Sequence, residues 1–332
     1  MRKEDTTNNI LVYVENTDGA PVKAGLEALT PARKLAEKTG GQVIAAVIGK
    51  NISEAAQNVA ACGADRVLAI DSDEAAVYDL DGYADILKQI IEEEKPDTVL
   101  LGGTGDGKDL AAKLMAQLDT AAVTDVAGIR TDGDKEVFVT SEYSGAVCCD
   151  VVVDEVRPRI AVTRSGAFKK PEGTGTGSVE ARDVKADAGV MKTKIKDTVK
   201  EITETVNLED AEIIVSGGRG MGSKENFGLV EKLAEILGGE VGATRPAIED
   251  GWIAKNHQVG QSGKTVSPKL YIAAGISGAT QHLSGITGSD YIVAINKDED
   301  APIFSVANVG IVGDAMKVLP VMIEEIKKIR EA

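Results

Sequence analysis

Leu270–Leu283 reads LYIAAGISGATQHL. An apolar run gives way to a glycine-serine-glycine turn and then to helix-compatible polar residues, the pattern of a buried strand, a tight turn and a helix start. Leu270–Ala274 is expected as the strand and Ala279–Ile286 as a short helix, with Gly275, Ser277 and Gly278 forming the turn. Free amides at a helix start attract anionic oxygens, so Gly275–His282 is the best anion site that the residues alone offer. His282 is one of two histidines in the chain. Beside these glycines, a ligand-contacting histidine and a structural one both fit.

Outward from this stretch the same unit recurs. In the C-terminal half, Glu212–Ser216 is expected as a strand, Glu225–Leu237 as a helix, Tyr291–Ile295 and Ile303–Val306 as strands, and Ala315–Arg330 as a closing helix. Ser216–Gly222 (SGGRGMG) follows the first of these strands. It does not complete G-x-G-x-x-G, because the last position counted from Gly218 is Ser223. A plain glycine turn and a phosphate approach aided by Arg219 both remain open. Val241–Trp252 (VGATRPAIEDGW) puts Thr244 and Arg245 at a strand end, where open α/β sheets hold ligands. There Arg245 forms either a surface ion pair or a contact with an anionic or planar ligand. Gln258–Lys264 (QVGQSGK) is a dense polar loop, either solvated or wrapped on a polar ligand.

The N-terminal half alternates in the same way, which implies parallel strands with helical crossovers. Strands are expected at Ile10–Glu15, Val43–Ile48, Arg66–Ile70, Thr98–Gly102, Glu136–Ser141 and Arg159–Thr163. Helices are expected at Leu26–Thr39, Ser53–Cys62, Tyr83–Glu94 and Asp109–Leu118. Gly102–Lys108 fits G-x-x-x-x-G-K but is followed by Asp109, where phosphate binding needs Ser or Thr. An aspartate there repels phosphate and suits the first turn of a helix, so a glycine turn is the expectation. Lys169–Gly177 (KKPEGTGTG) has linker chemistry, and Lys192–Val206 reads as an extended arm or edge strand. A domain boundary is expected near residues 190–208.

Composition bounds the function. At 332 residues two domains are expected, and 43% hydrophobic residues with only 3% aromatics suit an α/β protein. A formal net charge of −16 repels nucleic acid and anionic lipid, so neither is an expected partner. No apolar run approaches the ~18–20 residues that span a bilayer, and no targeting segment is legible, so a soluble cytoplasmic protein is expected. Cys62, Cys148 and Cys149 have no framework or redox spacing and are expected as buried thiols. Neither a metal-ligand set nor a Ser-His-Asp or Cys-His arrangement is legible, which fits a protein whose cofactor carries the chemistry.

In order, SGGRG, VGATRPA, QVGQSGKTVSPKLYIAAGISGATQHL, IVAINKD and APIF…VGIVGD resemble the alpha subunit of electron-transferring flavoproteins, collinearly over about 100 residues. LVYVE, GGTGDGKDLAAKLMAQL and RIAVTRSGAF carry a looser resemblance in the N-terminal half. The sequence departs from the family at Asn308-Val309 and at Ser165. The resemblance implies an α/β fold in two parts. Residues 1–200 would form an N-terminal parallel-sheet, nucleotide-hydrolase-like domain contacting a beta subunit. Residues 201–332 would form a C-terminal doubly wound, Rossmann-like FAD-binding domain.

The resemblance also implies site residues. Arg219 and Thr244 would contact FAD. Arg245 would lie over the isoalloxazine and raise its potential. The loop Val259, Gly260, Gln261 and Ser262 would wrap the flavin, with the Ser262 hydroxyl facing N5. Ser277, Gly278, Ala279, Thr280, Gln281 and His282 would supply amides and side chains, His282 near the C2 carbonyl. Asn296 and Asp314 would hold the ribose and adenine end, and Ala315 beside Asp314 completes the set.

The implied partners are the beta subunit and an acyl-CoA dehydrogenase such as butyryl-CoA dehydrogenase. A bifurcating type would add NADH and a ferredoxin or flavodoxin. Two other classes remain: a stand-alone NAD-dependent oxidoreductase, for which only His257 and His282 offer acid-base chemistry, and a cofactor-free scaffold.

Overall fold

A computed structural model of the chain describes residues 6–133, 135–143, 147–193, 195–196 and 208–331. The chain divides into two compact units, Met1–Glu142 with Val147–Lys200 and Tyr143–Ala146 with Glu201–Ala332.

The first unit begins with β1 (Ile10–Tyr13), a two-residue hairpin of β2 (Asn16–Thr17) and β3 (Ala20–Pro21), and α1 (Lys23–Thr39). Then come β4 (Val43–Gly49), α2 (Ser53–Ala61), β5 (Arg66–Asp71), α3 (Leu80–Glu94), β6 (Thr98–Gly102) and α4 (Gly105–Gln117). Every residue of β1, β4 and β6 is buried, because α1 and α2 cover one face of the sheet and α3 and α4 the other. After α4 the chain forms β7 (Ala122–Asp132), β8 (Lys135–Glu142), β9 (Val147–Val152), β10 (Arg159–Thr163) and β11 (Ser178–Ala181). All of these strands except the β2-β3 hairpin form one nine-stranded sheet in the order β11-β5-β4-β1-β6-β10-β7-β8-β9. It is parallel from β11 to β7, and β7-β8-β9 extend it as an antiparallel meander.

Several expectations change here. Helix α4 starts at Gly105 rather than Asp109, because the Thr104 hydroxyl caps it by accepting from Gly107 N at 2.9 Å. That hydroxyl donates to Glu15 Oε2 at 2.6 Å, which puts a carboxylate over the turn where a phosphate would need to sit. Lys169–Gly177 is not a departing linker. Gly175 N donates to Ala61 O at 2.6 Å, and the chain returns as β11 to pair with β5. Of the arm expected at Lys192–Val206, Lys192 N and the Thr193 hydroxyl bond Asp81, while residues 194 and 197–206 lie outside the described residues. The cysteine expectation holds for Cys62 only. Cys148 is exposed and Cys149 half-buried, because they lie on the edge strand β9.

A buried ionic cluster ties β10 to β6 and β8. Arg157 Nε lies 2.5 Å from Asp97 Oδ1, and Arg159 pairs with Asp97 Oδ2 and with Glu136 Oε1 at 3.1 Å. Thr98 donates to the other oxygen of Glu136, and Arg157 also donates to the Val156 carbonyl at 2.8 Å. Burial pushes the Glu136 carboxyl up against the opposing pull of Arg159.

The second unit begins with β12 (Ile213–Gly217), α5 (Lys224–Leu237), β13 (Glu240–Ala243) and α6 (Arg245–Glu249). It continues with β14 (Leu270–Ala274), α7 (Thr280–Leu283), β15 (Ile292–Asn296), β16 (Val309–Val312) and α8 (Ala315–Glu331). All five strands are parallel, in the order β13-β12-β14-β15-β16. This is a doubly wound sheet whose order reverses between β12 and β14. Helices α5 and α8 bury Phe227, Val230, Leu233, Leu319 and Ile323 on one face. Loops rather than long helices cover the other face, through Val259, Val266, Ile286 and Ile303. Ile303–Val306, expected as a strand, lies mostly in a 3-10 turn over Pro302–Ser305, and Val309–Val312 forms the edge strand instead. The helix expected at Ala279–Ile286 is a single turn, α7. Among the described residues, no helix is long and apolar enough to cross a membrane.

Removing one side of a buried ion cluster leaves its partners charged and uncompensated, at a cost of about 3–5 kcal/mol. Asp97→Ala is therefore expected to lower the unfolding free energy by about 3 kcal/mol or more. Urea titration of the variant checks this, and a loss below about 1 kcal/mol would show that the cluster is not stabilising.

Candidate FAD site in the second unit

The reversal point between β12 and β14 is where an open α/β sheet leaves a crevice at its carboxyl edge. Here the two turns that leave these strands touch through glycine. A Cβ on Gly218 would lie 2.4 Å from Gly275 O, and Gly275 itself has φ +62°. Gly220 N donates to Gly275 O at 2.9 Å, so the two turns are bonded as well as packed. A larger residue at either turn would force them apart.

A cavity of about 620 Å³ opens over this junction, a size typical of cofactor pockets. Its walls come from the turns after β12 and β14, from Thr244, Arg245 and Pro246 at the end of β13, and from the loop Gln258–Ser262. That loop is hung from both sides: Val259 N donates to Ala243 O at 2.9 Å, and Gln261 N donates to Gln281 O at 2.7 Å. It closes on itself through Lys264 N, which donates to Gln258 O at 2.8 Å. Gly260, at φ +136°, packs its backbone against Gln281 O and Gly285.

The structure brings together Arg219, Thr244, Arg245, Val259, Gly260, Gln261, Ser262, Ser277, Gly278, Ala279, Gln281, His282 and Asn296 around this cavity. Thr280, Asp314 and Ala315 are not among its lining residues. Thr280 is exposed on α7, and Ala315, the first residue of α8, is buried in the core. Asp314 accepts from Met316 N at 3.0 Å and pairs with Lys297 at 3.3 Å, and these contacts hold its carboxyl below the usual range. Gly275 and Ile276, part of the anion turn expected at Gly275–His282, line the cavity too, as do Gly218, Gly220, Pro246 and Gln258, which were not among the expected site residues. They lie beside the expected residues and contribute mainly backbone.

The donors present suit an anionic, partly planar group. Among the described residues, the amides of Ser277, Gly278 and Ala279 donate to no protein acceptor, and they sit in the glycine turn that lines the cavity. The Thr244 hydroxyl is buried without a partner. Arg219 and Arg245 stand at the rim, held by Asp250 at 3.5 Å and Glu249 at 2.7 Å. Both arginine side chains are about two-thirds exposed, 66% and 67%, so their ion pairs are weak and readily exchanged for a ligand anion. Ser262 Oγ accepts from Gln258 Nε2 at 2.9 Å and keeps its own proton to donate. Asn296 is committed to the fold: its amide donates to Ile276 O at 2.8 Å and its oxygen accepts from Asp298 N. His282 is buried, with Nδ1 3.1 Å from Val259 O and Nε2 3.0 Å from the Tyr271 hydroxyl. Burial pushes its imidazole down to about 4, partly offset by the Val259 carbonyl.

Comparison with known proteins decides the family. The profile described as "Electron transfer flavoprotein domain" matches residues 10–188, and "Electron transfer flavoprotein FAD-binding domain" matches residues 207–287. An electron transfer flavoprotein subunit alpha from Thermoanaerobacterium thermosaccharolyticum is 42% identical, covering 97% of this chain and 98% of its own.

The chain belongs to the electron transfer flavoprotein alpha-subunit family.

The subunit alpha of Megasphaera elsdenii is 43% identical over 96% of each chain. The acryloyl-CoA reductase electron transfer subunit beta of Anaerotignum propionicum is 36% identical over 98% of this chain and 97% of its own. A solved thiamin diphosphate-dependent enzyme from Mycobacterium smegmatis aligns at TM-score 0.23 and 10% identity, too low to bear on the fold. The second unit thus carries the family's FAD-binding domain, and the free amides, the orphaned Thr244 hydroxyl and the two rim cations fit that cofactor.

Two measurements probe this electron transfer flavoprotein site. Gly275→Ala places a methyl 2.8 Å from Gly220 C and is expected to yield protein that has lost most of its flavin absorbance. Gly238→Ala is the control, since Gly238 is also left-handed (φ +69°) but has open space around its Cβ position. It should retain flavin and lose only about 1 kcal/mol of stability. For His282 the folded value of about 4 lies below the ordinary 6.5, so the unfolded chain takes up the proton first as pH falls. The stability this contributes is complete above about pH 6.5 and is lost as pH falls toward 4. Between pH 7 and pH 5, unfolding free energy should fall by about 2 kcal/mol less in His282→Gln than in the parent protein.

Proposed function

We propose that this chain is the FAD-carrying subunit of a heterodimer with an electron transfer flavoprotein beta subunit, and that it passes electrons between partner redox proteins. The observation that carries this reading is the cavity at the β12/β14 reversal point. It has free amides and rim cations for an anionic cofactor, and its one histidine is buried and neutral at pH 7. Such a site binds and tunes a cofactor but offers no acid-base pair of its own, which disfavours the stand-alone NAD-dependent oxidoreductase. When bound, FAD supplies one- and two-electron chemistry. The chain's residues do the rest. Ser277, Gly278 and Ala279 amides meet anionic oxygens, Arg219 and Arg245 balance charge from the rim, and Ser262 offers a hydroxyl proton. The glycine junction lets the backbone approach closely.

The partner dehydrogenase in this proposal is of the acyl-CoA class, such as butyryl-CoA dehydrogenase; the name of the Anaerotignum relative points that way. Within the same proposal, a bifurcating mode would accept electrons from NADH and deliver them to ferredoxin or flavodoxin as well as to the dehydrogenase. We place the complex in the cytoplasm.

Purification of the chain with its beta subunit is expected to give a yellow heterodimer, and a colourless one would reject the reading. Flavin counting then separates the modes. Two FAD per heterodimer with ferredoxin-dependent NADH oxidation is the bifurcating result; one FAD with no NADH reaction is the simple carrier. A rim cation is worth roughly 1 kcal/mol to a reduced, more negative cofactor once solvent screening is counted, and about 1.4 kcal/mol corresponds to ~59 mV for one electron. Arg245→Ala should therefore lower the potential of the bound flavin by tens of millivolts. Spectroelectrochemical titration checks this, and an unchanged potential with flavin retained removes Arg245 from that role.

A further inference from the structure

A second cavity, of about 350 Å³, lies within the first unit and has no part in the functional reading. In that unit's sheet the strand order reverses between β1 and β6, which opens a crevice at the carboxyl ends of these strands. The cavity takes up this place. Its walls include Tyr13 and Glu15 at the end of β1, Lys50 after β4, Tyr78 and Tyr83 on either side of the start of α3, and Asp106 in the first turn of α4. The β2-β3 hairpin is fixed beside it by Asn16, whose amide donates to Ile48 O at 2.6 Å. Tyr13 is 2% exposed and pairs through its backbone with both β4 and β6. Its hydroxyl nevertheless has no hydrogen-bond partner among the described residues. The side chains whose charge reaches that hydroxyl are Tyr83, Glu15, Tyr78 and Asp106, all of them cavity residues, so it is directed into the cavity. An unsatisfied buried hydroxyl is costly, and a ligand that completes it removes that cost.

The charge around the hydroxyl is negative. Among the described residues the Asp106 carboxylate accepts no hydrogen bond, and burial together with Asp109 pushes this carboxyl up. Glu15 accepts from the Thr104 hydroxyl at 2.6 Å, and Asp18 adds a third carboxylate to the lining. Lys50, the one cation among the described lining residues, is taken by Asp73 at 2.8 Å, an exposed residue outside the lining. Among the described residues these carboxylates do not converge closely enough to hold a metal ion. Tyr78 and Tyr83 pack edge to face with centroids 5.1 Å apart. Carboxylates set apart beside aromatic rings suit a cation carried on an apolar stem.

We propose that this cavity binds a small organic cation, an aliphatic amine or guanidine, which donates to the Tyr13 hydroxyl and to the Asp106 and Glu15 carboxylates while its stem lies against Tyr78 and Tyr83. A phosphate-bearing ligand meets the same carboxylates and is repelled, so the preference is opposite in sign to that of the cavity in the second unit. The site lies in the first unit alone and is independent of the FAD reading.

The test is isothermal titration calorimetry of the full-length chain in complex with its beta subunit, dialysed free of small molecules, with agmatine and 1,4-diaminobutane as probes. One saturable site per heterodimer is expected for both, and adenosine monophosphate, the anionic control, should not displace them. Asp106→Asn and Tyr13→Phe should each weaken agmatine binding by roughly tenfold, the usual effect of losing a hydrogen bond to a charged group. Glu92→Gln removes an exposed carboxylate of α3 outside the cavity and should leave binding unchanged. The absence of saturable heat with both probes overturns the proposal. Binding that Glu92→Gln weakens as much as Asp106→Asn also overturns it, because that marks general attraction to a chain of net charge −16. So does binding seen only in the chain without its beta subunit, which makes the cavity a socket for a partner side chain. Tyr13→Phe deletes an unpartnered hydroxyl and is expected to fold; where it does not, the parent titration and Asp106→Asn decide.

Discussion

The second unit depends on a contact between two pieces of backbone. The turns that leave β12 and β14 meet at Gly218, Gly220 and Gly275, close enough that a single Cβ would collide with a carbonyl at 2.4–2.6 Å. The contact arises from sheet topology. At the reversal point, adjacent strands send their chains to different places, and a crevice opens between them. Glycine lets that crevice be floored by amides instead of side chains. The loop Gln258–Lys264 then spans from the end of β13 to Gln281 in α7 by main-chain bonds, and its position sets those of Gln261, Ser262 and the Val259 carbonyl that meets His282.

Charge is handled in opposite ways in the two units. In the first, Arg157, Arg159, Asp97 and Glu136 are buried and paired with one another, although Arg159 Nε itself has no partner, an arrangement that ties β6, β8 and β10 together and gives no charge to a ligand. In the second, Arg219 and Arg245 sit in solvent with single carboxylate partners. Exposed pairs of this kind contribute little to stability, so exchanging them for a cofactor's negative charge costs little. The Thr104–Glu15 contact in the first unit is the counterpart: a carboxylate already fills the turn after β6, and the phosphate-like motif there has no anion to hold.

Much of the fold was legible because parallel strands covered on both faces read as short apolar runs, and β1, β4, β6, β12 and β14 are such runs. Where burial was one-sided or the segment lay at an edge, legibility failed. Ile303–Val306 is as apolar as a strand, but Pro302 and the Gly278 contact turn it into a 3-10 segment that covers the sheet face. Ser178–Ala181 carries no strand signal of its own and becomes one because β5 offers an unpaired edge. Cys148 and Cys149 look like core residues in composition, yet they lie on the outer strand of an antiparallel extension.

By itself, the sequence determined the α/β class, the position of the glycine turns and the set of residue types around the cavity, because these follow from local periodicity and from backbone conformations that few residues adopt. Tertiary structure alone decided which of those residues face the cavity. Asp314 and Ala315 adjoin the expected cofactor residues in the sequence pattern, yet one caps α8 and the other, its first residue, packs into the core. His282 shows the same limit most clearly. Its place at a glycine turn was readable, but the two groups its ring nitrogens meet, the Val259 carbonyl and the Tyr271 hydroxyl, lie 23 and 11 residues away. No local pattern encodes them, since only the packing of a loop and a strand against α7 brings them to the ring.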